Sequence, residues 1–86
     1  MSNKHNSLLN AIFHDPVSGN IHWREVESLL NHLGGHIVPA HGARFHVTLN
    51  GLDCFLHHPH QGNVCDKNLI KYLRDFLTRA GVGPER

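Results

Sequence analysis

The chain has 86 residues, 40% of them hydrophobic, and a net charge of +1 with histidine neutral. This length makes one small domain with a thin stability margin. The near-zero charge excludes a globally basic nucleic-acid binder, so any phosphate contact must come from a local patch.

Residues 6 to 14 carry Leu8, Leu9, Ile12 and Phe13 at helical spacing, which predicts a short amphipathic helix. Asp15-Pro16 stops it, because proline disfavours the α conformation in the residue before it. A turn-rich connector follows. His22 to Leu33 is the second predicted helix, with Trp23, Val26, Leu29, Leu30 and Leu33 on one stripe. Gly34-Gly35 ends it in the manner of a C-terminal glycine cap. His36 to Pro39 reads as a first strand, and Pro39 places it at an edge or ends it.

Residues 42 to 60 then hold two alternating runs around Asn50-Gly51. Asn-Gly between alternating apolar residues predicts a type I′ hairpin, since that turn needs φ > 0 at both central positions. A two-residue loop sets the register. Leu49 faces Leu52, Val47 faces Cys54, Phe45 faces Leu56 and Arg44 faces His57. Phe45, Val47, Leu49, Leu52, Cys54 and Leu56 form the expected core face. Arg44, His46, Thr48, Asp53, Phe55 and His57 form the other.

After a loop from Pro59 to Val64, Asp66 is a good N-cap. Lys67 to Ala80 is the third predicted helix, closed by Gly81 and Pro84. Its apolar side holds Leu69, Leu73, Phe76, Leu77 and Ala80. Lys67, Lys71, Arg74 and Thr78 lie opposite, the one concentrated basic stripe in the chain. Such a stripe reads either as a solvated face or as a track for phosphates.

The order is α-α-β-β-β-α, which is an α+β chain. A three-stranded antiparallel meander with both main helices on one face buries the apolar stripes and leaves the Arg44/His46/His57 face open. The α-β-β-β-α core, over residues 22–83, has the topology of the double-stranded-RNA-binding domain. Residues 1–21 add the leading helix and connector, and 84–86 are a tail.

Two cysteines form neither a disulfide framework nor a CxxC pair. Cys54 reads as a small buried apolar group. Cys65 stands just before a helix, where a thiol pKa is lowered, but a cysteine in a capping loop is expected to be inert. Ten histidines make the charge sensitive to pH below about 6.5. No apolar run approaches the ~18 residues of a membrane span. With one lysine and no apolar segment at its N-terminus, the chain is expected to be cytoplasmic.

Histidine near neutrality suits general acid and base roles. Arginine suits the phosphate, as a bidentate clamp. His46 and His57 are therefore the candidate proton-transfer pair, with Arg44 holding phosphate. Phe55 on the same face can stack on a base or serve a protein partner. His57-His58-Pro59-His60 invites a metal reading, but adjacent strand residues point to opposite faces. No carboxylate or cysteine completes a site at zinc-like spacing. No metal or other cofactor is expected. His58 and His60 are placed in the loop beside the basic stripe, as candidate phosphate contacts. His5, His14, His22, His32, His36 and His41 read as surface residues.

The stretches WREVESLLNHLGG, HGARFHVTLNG, FLHHPH and DKNLIKYLRDFLTRAGV, over residues 23 to 82, resemble the HicA family of type II toxin–antitoxin systems. The leading helix resembles a longer subgroup of that family. The resemblance implies a double-stranded-RNA-binding-domain-like fold, a toxin that cleaves mRNA without metal, and a HicB-like antitoxin partner. The family's catalytic histidine belongs to a Gly-Ser-His triplet opening the second strand. Here that triplet is Gly42-Ala43-Arg44, so activity would have to rest on His46 or His57. Two other readings stay open: a non-catalytic RNA-binding module of the same fold, and a protein-interaction domain for an antitoxin-like partner.

Overall fold

The computed structural model describes residues 3–17, 19–59 and 62–84. Three helices and three strands run in the order α1 (Asn3–Ile12), α2 (Trp23–His32), β1 (His36–Pro39), β2 (Arg44–Leu49), β3 (Leu52–His57) and α3 (Lys67–Arg79). The strands form one antiparallel sheet in the order β1-β2-β3. The molecule is thus α+β.

The hairpin has the register that its sequence predicts, from Leu49 opposite Leu52 to Arg44 opposite His57. Asn50 and Gly51 have φ of 51° and 82°, the left-handed pair that a type I′ turn requires. On the other side of β2, Val38 lies opposite His46 and His36 opposite Thr48. One sheet face therefore carries Val47, Leu49, Cys54 and Leu56, all buried against the helices. Its opposite face bears no helix.

All three helices contribute to a single core. α2 brings Trp23, Val26, Leu29 and Leu30, and α3 brings Ile70, Leu73, Phe76 and Leu77. α1 adds Leu8, Leu9 and Ile12, and it packs on both α2 and α3. Fully burying a side chain of this size stabilises by about 1.5–3 kcal/mol.

Local chemistry sets the helix ends. Asp66 Oδ1 accepts from the Leu69 N–H at 2.7 Å, capping α3. Glu25 Oε1 accepts from the His22 N–H at 3.1 Å at the start of α2. Gly34 and Gly81 take positive φ beyond α2 and α3, and the Gly35 and Val82 N–H groups return to the Leu30 and Leu77 carbonyls. The connectors also pair: the Trp23 N–H donates to Asn63 and the Cys65 N–H to Ile21. This joins the start of α2 to the start of α3.

The structure departs from the sequence reading at several places, among them the end of α1 at Ile12 rather than residue 14. α1 starts at Asn3 rather than residue 6, because His5 has a place on α2: its ring stacks on His32 at 4.4 Å and its Nε2 meets Ser28 Oγ at 3.0 Å. Ile70 is fully buried while Leu69 is only half-buried, so the stripe of α3 is centred on Ile70, Leu73 and Leu77. Leu52, assigned to the core face, is 38% exposed because it opens β3 directly after the turn.

Candidate functional site

The helix-free sheet face displays Arg44, His46, Thr48, Asp53, Phe55 and His57, joined by His36 and Val38 from β1. The hydrogen bond from the His58 N–H to the Ala43 carbonyl sets the phase of the β2–β3 ladder. It makes Arg44/His57, His46/Phe55 and Thr48/Asp53 the non-hydrogen-bonded pairs, whose side chains lie closest.

Direct contacts follow. The His46 and Phe55 rings are 4.9 Å apart. The Arg44 guanidinium stands 5.2 Å from the centre of the Phe55 ring, a cation–π contact. Arg44 Nε donates to the His41 carbonyl at 3.3 Å, which steadies the side chain at the base of the strand. His46 Nε2 meets Asp53 Oδ2 at 2.9 Å across the sheet diagonal. The Asp53 carboxylate thereby fixes the ring, leaving Nδ1 as the other proton-handling position. Arg44, His57, His46 and Phe55 thus occupy the corners of one small patch. Diagonal neighbours on such a face are about 7–8 Å apart, a span that one phosphodiester can bridge.

The edge of this patch continues into a groove of about 990 Å³ between β3 and the first turns of α3. Phe55, His57, Val64, Lys67, Leu69 and Tyr72 are among its walls. Lys67 is exposed and stands beside the sheet patch, so four of the sequence-picked residues, Phe55, His57, His58 and Lys67, meet here.

Other sequence-picked residues are placed differently. Lys71 is exposed on α3 outside the groove lining. Arg74 turns back onto α1: Nε donates to the Ile12 carbonyl at 3.0 Å, Nη2 to the His14 carbonyl at 3.0 Å, and Nη1 to Asp15 Oδ1 at 3.1 Å. Thr78 Oγ1 donates to the Arg74 carbonyl. The basic stripe therefore divides into two free lysines and one arginine engaged in the fold. His58 lines the groove near Lys67 as expected, but it is half-buried, with its ring 5.7 Å from Trp23 and 6.0 Å from Phe45 on the helix side of the sheet. His60 lies outside the described residues.

Two members of the site were not assigned roles from sequence. Asp53 was placed on the open face, but its bond to His46 depends on a diagonal that residue types alone do not announce. Tyr72 is 48% exposed on the groove wall. An aromatic lying off the apolar stripe of α3 was the available signal for it.

Neither thiol is activated. Burial, and secondarily the Asp53 carboxylate, push Cys54 up to about 11. Burial, then Asp66 and Glu25, push Cys65 to about 11. Among the described residues no three His, Cys, Asp or Glu side chains converge as a metal site. No described helix is long and apolar enough to cross a membrane.

Compared with family models, curated proteins and solved structures, the chain finds no match.

Proposed function

We propose that the open sheet face binds single-stranded RNA and cleaves it at one phosphodiester, as the toxin component of a toxin–antitoxin pair. The observation that carries this reading is the Asp53-oriented His46 beside Arg44 and His57. The α2-β1-β2-β3-α3 order supports it, since that is the arrangement of double-stranded-RNA-binding-domain-like toxins of the HicA type.

In this mechanism His46, held by Asp53, takes the proton of a ribose 2′-hydroxyl. The 2′-oxygen bonds to phosphorus, and the bond from phosphorus to the 5′-oxygen breaks. His57 gives its proton to that leaving oxygen. The Arg44 guanidinium balances the charge of the crowded phosphorane. Phe55 stacks a flanking base, and Lys67 holds the next phosphate at the mouth of the groove. The products are a 2′,3′-cyclic phosphate and a free 5′-hydroxyl. A HicB-like antitoxin neutralises the toxin by covering this face.

The test is cleavage of an unstructured RNA by wild type, His46→Ala and His57→Ala, with the same oligomer in all-DNA form as a control. Loss of cleavage in both variants, and none of the DNA, is expected. Equal RNA cleavage in all three proteins ends the proposal. RNA binding that falls steeply with salt while no protein cleaves would leave a binding module in its place.

A further inference from the structure

β3 is an edge strand, and its exposed edge is chemically unfinished. The ladder phase turns the backbone of Leu52, Cys54 and Leu56 toward β2. The N–H and C=O groups of Asp53, Phe55 and His57 therefore point outward. Among the described residues none of them makes a hydrogen bond. The other edge is different: β1 has Pro39, which has no N–H to offer. Natural sheets protect long edges with charge, proline or a covering element; β3 has six residues, no proline, and Asp53 as its single carboxylate.

Exposed apolar surface collects at the same edge. Leu52 and Phe55 lie on β3, and Val64 and Tyr72 line the groove beside it. Of the large apolar side chains left exposed among the described residues, Val38 alone lies elsewhere.

We propose that β3 pairs with β3 of a second copy of this chain, antiparallel about a two-fold axis at Phe55. The sequence of the edge is self-complementary in that register. Phe55 meets the partner's Phe55, Asp53 meets the partner's His57, and His57 meets the partner's Asp53. Every outward N–H and C=O then finds a partner, whereas a shift by two residues leaves some unpaired. Asp53 Oδ2 already accepts from His46, and Oδ1 is available to the partner's imidazole. A parallel pairing would set the Asp53 carboxylate against its copy, which is repulsive. An antiparallel two-fold also keeps both open faces on one side, making one six-stranded sheet with all helices beneath it. The contact is isologous and closes at two copies.

This inference stands on the strand edge and holds whether or not the face cleaves RNA. Its test is sedimentation of the full chain over about 1 µM to 1 mM. A concentration-dependent dimer is expected. Asp53→Lys removes the carboxylate acceptor opposite the partner's His57 and should raise the dimer dissociation constant at least about tenfold. Adding His57→Glu to that variant sets a carboxylate against the lysine introduced in the partner and should return it to near the wild-type value. Phe55→Cys should form a disulfide-linked dimer under mild oxidation, since directly opposed residues on an antiparallel pair are about 5.5 Å apart at Cα. The buried Cys54 and Cys65 leave this assay clean. A wild-type monomer throughout the range overturns the proposal. So does a dimer that Asp53→Lys leaves unchanged, or one that His57→Glu fails to restore. Thermal melting of each variant shows that it is folded.

Discussion

Arg74 Nε donates to the carbonyl of Ile12 at 3.0 Å, across 62 residues of sequence. Ile12 ends α1, and the other two nitrogens of the guanidinium reach the His14 carbonyl and the Asp15 carboxylate just beyond. A cation at a helix C-terminus satisfies carbonyls that lack intrahelical donors and opposes the negative end of the helix dipole. One side chain of α3 thus closes α1 and fastens it to the core.

Arg74→Ala should lower unfolding free energy by about 1.5–3 kcal/mol, the scale of hydrogen bonds to a charged group. Arg74→Lys should recover only part of this, since one ammonium cannot serve three acceptors spread around a planar fork. Urea denaturation followed by Trp23 fluorescence measures both. By contrast Lys71→Glu, on an exposed position of α3, should leave the unfolding free energy within about 0.5 kcal/mol of wild type. On the proposed function, it should weaken RNA binding.

The Arg74 contacts also show where sequence reasoning stops. Helical spacing predicts Arg74 opposite an apolar side centred on Leu69, Leu73 and Leu77, where it would face water. With Ile70 buried instead of Leu69, Arg74 stands four residues from Ile70 and three from Leu77, on the flank of the buried stripe. What changed its surroundings was α1, which packs on α2 and α3 from a distant part of the chain. The hairpin was legible down to its register because Asn50-Gly51 and alternation are local signals. β1 and the Asp66 cap were legible for the same reason. The His46–Asp53 bond, the His5–His32 stack and the groove beside Tyr72 depend on non-local packing. No periodicity encodes them.

The hairpin tip is tied down as well. Asn50 Nδ2 donates to the Ala80 carbonyl at 2.8 Å, at the end of α3. Asn50 therefore has two duties, the φ of 51° that the turn needs and a side-chain donor for an orphan carbonyl. The two separate by substitution. Asn50→Gly keeps the turn and loses the donor, and should destabilise by about 1 kcal/mol. Asn50→Ala loses the donor and also strains a left-handed position, and should cost about a further 1 kcal/mol. Thermal melts that rank the two equally would show that the turn is insensitive to its first residue.

His5 makes the docking of α1 sensitive to pH. Burial, then the nearby His32 and Lys4 charges, hold its imidazole below the ordinary 6.5. The fold thus favours neutral His5, while the unfolded chain takes up a proton below about pH 6.5. Its contribution is complete above that value and is lost as pH falls toward the lower folded value. Stability should therefore decline as pH falls below about 6.5. His5→Gln should reduce that decline, a difference read as the pH dependence of Tm in the two proteins. Identical slopes would remove His5 from the account.

Asp53 offers the sharpest test of how the sheet face works. In the proposed reaction it touches no substrate atom; it positions His46 through the 2.9 Å contact. Asp53→Asn keeps size and exposure but allows the imidazole to rotate or to adopt the other tautomer. RNA cleavage should fall about tenfold to a hundredfold in kcat, with KM little changed, because phosphate and base contacts rest on Arg44, Lys67 and Phe55. Nitrogen NMR of His46 should show the tautomer ratio changing in the same variant. Both measurements are made at a protein concentration that gives equal dimer fractions, so that pairing at β3 does not enter. A fall in kcat with an unchanged His46 tautomer would mean that Asp53 acts by its charge alone. A fall confined to KM would move it from positioning the base to binding the RNA.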